Sequence, residues 1–313
     1  MTESHFYERQ IYEAIASNIG ISVSSLKRMK SVLPLPSSDY SLFQLLDLVP
    51  SASSTMEVSA STPRLSVIYG KMLNSMPDSL IVSMAQQNYA KTSHWLPADP
   101  QKGRAKTPIY IPTSVDVSTA VVQGNKLQYR LDSSSYTIPT QILQQSFPSM
   151  LVNQPFLAFN QTAANNRFNL NMLFESLASP TVRAGGWFSQ GAFVSAYKSG
   201  GKGWKTGPNT VTWEELFGTD GSLQFICNGM LAISGITIAL QCFGNYDQAT
   251  LDLLQSSNNT TAWPFYLNVP NGTQRYELGT DCSITTTTVV PAPEVLLFLL
   301  TAAPVSKLTG TNT

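Results

Sequence analysis

The sequence predicts an α+β protein, with a helical N-terminal region over residues 1–95 and a β-rich, sandwich- or sheet-like domain over 105–313. Three observations carry that prediction. Apolar residues fall at helical spacing between clear stop signals in the first third. From about Pro108 the apolar period drops to two. Thr212–Phe243 then joins a capped helix start to a series of strand-like runs.

The first helix is expected on Tyr7, Ile11, Ala14, Ile15 and Asn18, which share one face, with Gly20 as its stop. A second is expected from Ser24 to about Val32, ended by Pro34 and Pro36. Tyr40–Val49 forms a third, with Leu42, Leu45, Leu46 and Val49 on one side. Residues 51–62, SASSTMEVSAST, read as a low-complexity linker or exposed loop. Leu65–Met76 and Asp78–Lys91 follow as helices divided by Pro77. The proline- and charge-rich LPADPQKGRAKTP marks the boundary to the second region.

Beyond it, IYIPTSVDVSTAVV, a Gly124-Asn125 turn and KLQYRLD predict a hairpin. The stretch to about Gln190 is irregular apart from one helix, Asn169–Leu177, and Gly185–Pro208 is a Gly/Lys/aromatic loop region. Thr212 with Glu215 three residues on has capping-box spacing, and Gly218 closes that helix as a residue tolerant of positive φ. Leu223–Cys227, Met230–Ile233 and Ile236–Phe243 are expected as strands, with Asn228-Gly229 and Ser234-Gly235 as turns between them. Both faces of Ile236–Phe243 are apolar enough that the strand is expected to be covered on both sides, in the middle of a sheet. Trp263–Leu267, Tyr276–Val290 and Val295–Ala303 complete the pattern, the last being a central strand or a buried helix.

Lys+Arg and Asp+Glu both number 19, so the balance lacks the basic excess that binding to phosphate backbones requires. Charged residues make up 12 % of the chain, against about 25 % in ordinary soluble domains. Hydroxyls and amides supply the polarity instead, a surface that resists self-association less than a charged one. Cys227, Cys242 and Cys282 match no metal or redox spacing and are expected as buried free thiols. The N-terminus is polar and charged, unlike a signal peptide, which implies synthesis in the cytoplasm, with release by lysis or non-classical export as the route out. Sequons beginning at Asn160, Asn258, Asn259 and Asn271 are incidental on that reading.

IASNIGISVSSLKRM resembles a helix-turn-helix. Ala16 and Gly20 are four apart, Ile15, Ile19, Ile21, Leu26 and Met29 fill the apolar positions, and Lys27, Arg28 and Lys30 sit on the second helix. The resemblance implies DNA contact, which the neutral charge disfavours. KSGGKGWKTG contains the parts of a phosphate loop, but Trp204 stands before Lys205-Thr206 where the motif needs Gly.

No catalytic residue and no metal ligand set is nominated. The two histidines, His5 and His94, accompany no nucleophile elbow, and adjacent Glu214 and Glu215 point in different directions on a helix turn. Asp220 and Asp281 have no visible partner. The candidate binding residues are an aromatic group, Trp187, Phe188, Tyr197, Trp204 and Trp213, suited to a sugar or a protein partner.

The expected function is therefore non-enzymatic, without cofactor: self-association as a homo-oligomer, or binding to a target such as a glycan or a membrane surface. The alternative is a toxin-like, pore-forming protein that inserts an amphipathic hairpin as part of an oligomeric barrel, with Ser114–Tyr136 as the hairpin. DNA binding ranks third.

Overall fold

The computed structural model describes residues 3–50, 55–56, 61–132, 167–243, 246–256 and 272–310. In chain order, helix α1 (Glu3–Asn18) leads to strand β1 (Leu26–Pro34), helix α2 (Asp39–Leu46), the short strand β2 (Thr55–Met56) and helices α3 (Leu65–Ser75) and α4 (Leu80–Ala90). Short strands β3 (Trp95–Leu96), β4 (Thr107–Pro108) and β5 (Tyr110–Ile111) precede helix α5 (Ser114–Val122) and strand β6 (Asn125–Asp132). After residue 166 come β7 (Phe168–Ala178), β8 (Arg183–Ala184), α6 (Gln190–Lys198), α7 (Trp213–Phe217) and β9 (Phe225–Cys242). Helix α8 (Gln248–Ser256), strands β10 (Thr273–Leu278) and β11 (Ile284–Pro304), and helix α9 (Val305–Leu308) end the chain. The α+β class holds, with helices mainly N-terminal and strands mainly C-terminal.

A seven-stranded sheet has the order β2-β1-β11-β9-β7-β6, and β10 pairs with the N-terminal half of β11. All its pairings are antiparallel except β1 with β2. Strand β9 is central, flanked by β11 from Phe225 and by β7 from Ala232, as expected for Ile236–Phe243. The expected covering of both sides is not found, because Thr237, Ala239 and Gln241 reach solvent. One face of the sheet carries Leu170, Met172, Phe174, Leu231, Ile233, Ile236, Ile238 and Leu240, packed with Ile11, Ile15 and Ala16 of α1. Among the described residues, the opposite face is covered around Met230, Ala232, Leu297 and Leu300, by a helical layer drawn from α2 to α7. That second core mixes residues 42–85 with residues 110–305, because the N-terminal helices bury their apolar stripes against the C-terminal sheet.

Several local expectations are corrected. Ser24–Val32 is not a second helix: after a 3-10 turn at Val23–Ser25 the chain becomes β1, paired with Leu296–Thr301 of β11. A long apolar strand with an unpaired edge outweighs the weak helix preference of this segment. The helix-turn-helix therefore does not exist, and Lys27, assigned to its DNA-facing helix, is buried with its ammonium 3.9 Å from the centre of the Phe225 ring.

The expected hairpin over Ser114–Tyr136 is a helix followed by a strand. Thr113 and Asp116 form a capping box, and Val117 and Val121, four apart, are buried while Val115 and Val122 are exposed. Its tail from residue 133 lies outside the described residues, as do Trp263–Leu267 and the asparagines of the four sequons.

Asn169–Leu177 is a strand. Leu170, Phe174 and Leu177 all reach the same core and mimic helical spacing, because the pleat changes parity between Phe174 and Leu177. The partner strand changes parity at the same place, where Gly235 adopts φ +66. The Asn228-Gly229 and Ser234-Gly235 turns are absent: β9 runs through both. Opposite Asn228 the register with β11 slips by one residue, a β-bulge in place of a reversal. The predicted Thr212 capping box is present, Glu215 N–H donating to Thr212 Oγ1 at 3.2 Å. Gly218, however, has φ −63; a Cβ there would lie 2.6 Å from the Glu214 carbonyl oxygen, so close approach explains the glycine.

Candidate binding surface

The aromatic residues singled out from sequence are grouped in the helical layer. Trp187 is fully buried, edge-on to Tyr69 (5.8 Å between ring centres) and Tyr110 (5.6 Å). Gly185 and Gly186 precede it because side chains there would meet the Ile109 carbonyl and the His94 ring. Phe188 packs against Tyr69 with the rings tilted at 40° and their centres 4.7 Å apart, and Tyr197 and Trp213 close on Phe217. Phe188, Tyr197, Trp204 and Trp213 are half-buried against this core. Each indole N–H is spent inside the protein: Trp187 on the Ile109 carbonyl (2.8 Å), Trp204 on Ser199 Oγ (2.9 Å) and Trp213 on the Tyr197 carbonyl (2.9 Å).

The Gly/Lys loop is likewise occupied with its own fold. The N–H groups of Gly201, Lys202 and Trp204 donate to Ser199 Oγ, the Ser199 carbonyl and the Gly201 carbonyl. Lys205 N–H donates to the Ser75 carbonyl (2.6 Å), and its ammonium pairs with Asp78. These amides are already spent on the loop's own acceptors and on the Ser75 carbonyl.

A group of titratable side chains with shifted pKa values is buried beneath the same layer. Asp47 accepts hydrogen bonds from Ser66 N–H (2.9 Å), Ser66 Oγ (2.7 Å) and Tyr110 OH (2.8 Å). Burial raises the carboxyl pKa, against the opposing pull of those donors and of Arg64. Tyr110 is pushed well above its ordinary value by burial and by the Asp47 charge, while burial raises Tyr69 and Cys227 each to about 12. Such thiols and phenols stay protonated and inert at neutral pH. The cluster ties the end of α2 to the start of α3 and to β5. Of the three cysteines, Cys227 and Cys242 are buried as expected, but Cys282 is exposed, in a turn at φ +57.

A broad solvent-facing array, mostly of polar side chains, lies elsewhere, at the end of the sheet beyond the helical layer. Five strands, in the order β10-β11-β9-β7-β6, present three cross-strand rows there. The first is Glu277–Thr285–Gln241–Asn169–Asp132, the second Arg275–Thr287–Ala239–Asn171–Arg130, and the third Thr273–Val289–Thr237–Leu173–Gln128. All fifteen are half-exposed or exposed, while the alternate residues Ile238, Leu240, Leu170 and Met172 are buried on the other side. Gln128 donates to Asn171 at 3.3 Å, so part of the amide array is internally ordered. Sequence reasoning does not find this surface. A signal exists in the alternation of Asn169, Asn171 and Thr285, Thr287, but the first of those segments also fits a helix.

Among the described residues there is no cluster of metal-binding side chains, and no helix is long and apolar enough to cross a membrane. No protein-family model, curated protein or solved structure matches the chain.

Proposed function

We propose that this protein works by surface binding, through self-association or docking on a target, and not by catalysis. The observation that carries this reading is the open sheet face: five strands, held from behind by the α1-side core, display hydroxyls and amides to solvent, with charged residues on the two outer strands. A sheet held on one side is a preorganised platform, so contacts made on it cost little ordering entropy. Asp47 and Tyr110, whose pKa values are raised, are engaged in structural hydrogen bonds. DNA binding has lost its supporting motif, since the basic segment at Lys27 is a strand inside the sheet.

Light scattering of the full chain, combined with a glycan screen and co-sedimentation with neutral liposomes, tests the reading. A discrete assembly, or saturable binding to a glycan or to vesicles, is the expected result. A monomer inert in all three experiments would overturn it.

A further inference from the structure

The charges on the open face alternate by row. The first row carries a carboxylate at each end, Glu277 on β10 and Asp132 on β6, and the second carries a guanidinium at each end, Arg275 and Arg130. Between the ends, these two rows are uncharged: Thr285, Gln241 and Asn169 in one, Thr287, Ala239 and Asn171 in the other. Within each edge strand the opposite charges are two residues apart, about 7 Å along the strand.

A two-fold axis lying in the plane of the face, parallel to the rows and midway between them, has a specific consequence. It lays each strand over its own copy and places the first row over the second. Glu277 then faces Arg275 of the other copy and Asp132 faces Arg130, each pair occurring twice, with hydroxyls and amides meeting at the centre. The other in-plane axis, along the strands, would put Glu277 over Asp132 and Arg275 over Arg130, a like-charge arrangement. The face is thus self-complementary in one orientation only.

We infer that this face is an isologous interface on which a second copy of the chain docks, sheet against sheet. The inference rests on the surface-binding reading and names its partner. Other occupants fit less well. None of the fifteen side chains is aromatic, and the ring of Phe243 in the adjoining row has the Arg167 guanidinium 5.8 Å from its centre, so a sugar ring finds little to stack on, while within the rows two cations are balanced by two anions. Long side chains at the rim also tolerate the rotation of about 30° between packed sheets. Strand and row spacings give the face roughly 400 Å², about half of what each partner contributes to a standard interface, so the dimer is weak and sensitive to salt.

Sedimentation velocity of the full chain, from about 10 µM to 1 mM and at low and high salt, reads the dimer directly. The decisive variants are Arg275→Glu, which sets Glu277 against another carboxylate at both symmetry-related contacts, and the exchange R275E/E277R, which restores opposite charges across the same axis. A two-fold assembly weakened at least about tenfold by Arg275→Glu and recovered by the exchange is the expected outcome. Circular dichroism confirms that both variants fold. A dimer indifferent to Arg275→Glu and to salt would overturn this interface while leaving self-association through another surface standing. Assemblies larger than two would overturn it likewise, because an isologous face closes at a pair. A monomer throughout would overturn it and remove the self-association half of the functional reading. If that monomer took up a glycan on the same face, only target binding would survive.

Discussion

From Met230 to Ile233, strand β9 is buried on both sides; from Thr237 to Gln241, every second side chain reaches solvent. The backbone is continuous and β11 runs beside both ends; β7 pairs from Ala232 onward, with the Pro180 carbonyl taking the Met230 N–H beyond it, so both ends have backbone partners on each side. What differs is the layer in front. The helices that bury Met230 and Ala232 stop short of Ala239, and the side chains follow: Met, Leu, Ala, Ile in one part, Thr, Ile, Ala, Leu, Gln in the other. Coverage, more than strand propensity, sets which residues a strand position accepts. Gly235 lies at the junction, where the pleat changes parity.

Substitutions can sharpen or break this contrast. The largest effect is expected for Ile238→Asp, on the covered side of the open end. Desolvating an unpaired carboxylate costs several kcal/mol, and no soluble folded protein should be recovered. A normally melting variant would mean that the α1-side core does not cover this end. Next, Trp187→Ala removes the centre of the helical layer and should cost about 3–5 kcal/mol in urea denaturation. A loss under half of that would remove the helical layer as the source of the difference.

Asp47→Asn should cost about 1–3 kcal/mol near pH 4, since one of the donors from Ser66 or Tyr110 loses its acceptor. The native carboxyl pKa is raised, so as pH rises from about 4, the native state holds a proton that the unfolded chain has released. Wild-type stability therefore falls through that window, up to the raised native pKa. The Asn variant lacks this fall, and the gap between the two proteins should narrow as pH increases. Parallel stability profiles would show that Asp47 does not titrate differently in the folded state. Gly235→Ala should cost about 1–2 kcal/mol, because a side chain at φ +66 is strained and its Cβ would crowd Glu175. The smallest change is expected for Ala239→Asp, adjacent in sequence to Ile238 but on the open face, within about 0.5 kcal/mol by thermal melting. A severe loss at Ala239 would mean that the face is covered.

Where a signal was local, it was legible in the sequence. The Thr212–Glu215 capping box, the α2 stripe of Leu42, Leu45 and Leu46, and the α3 and α4 helices on either side of Pro77 all depend on contacts within a few residues. Where two patterns overlap, local reading chooses wrongly. Thr113-Ser-Val-Asp116 holds a capping box as visible as the one at Thr212, but the alternation of Val115 and Val117 favours a strand. The open face is hidden for a related reason: Leu170, Phe174 and Leu177 fit a helix unless the parity change opposite Gly235 is known.

By itself, the sequence determined the α+β class, the helical start and β-rich remainder, the centrality of Ile236–Phe243 and the low charge of the surface. These follow from composition and from periodicity along the chain. Tertiary structure alone decided that Leu26–Pro34 is a strand, that β9 passes through two turn-forming pairs, and that one end of the sheet remains open. Each of those outcomes depends on partners distant in sequence. The edge of β11 recruited β1, and the extent of the helical layer set where burial ends. The free energy of such contacts belongs to pairs of segments, and neither segment carries it alone.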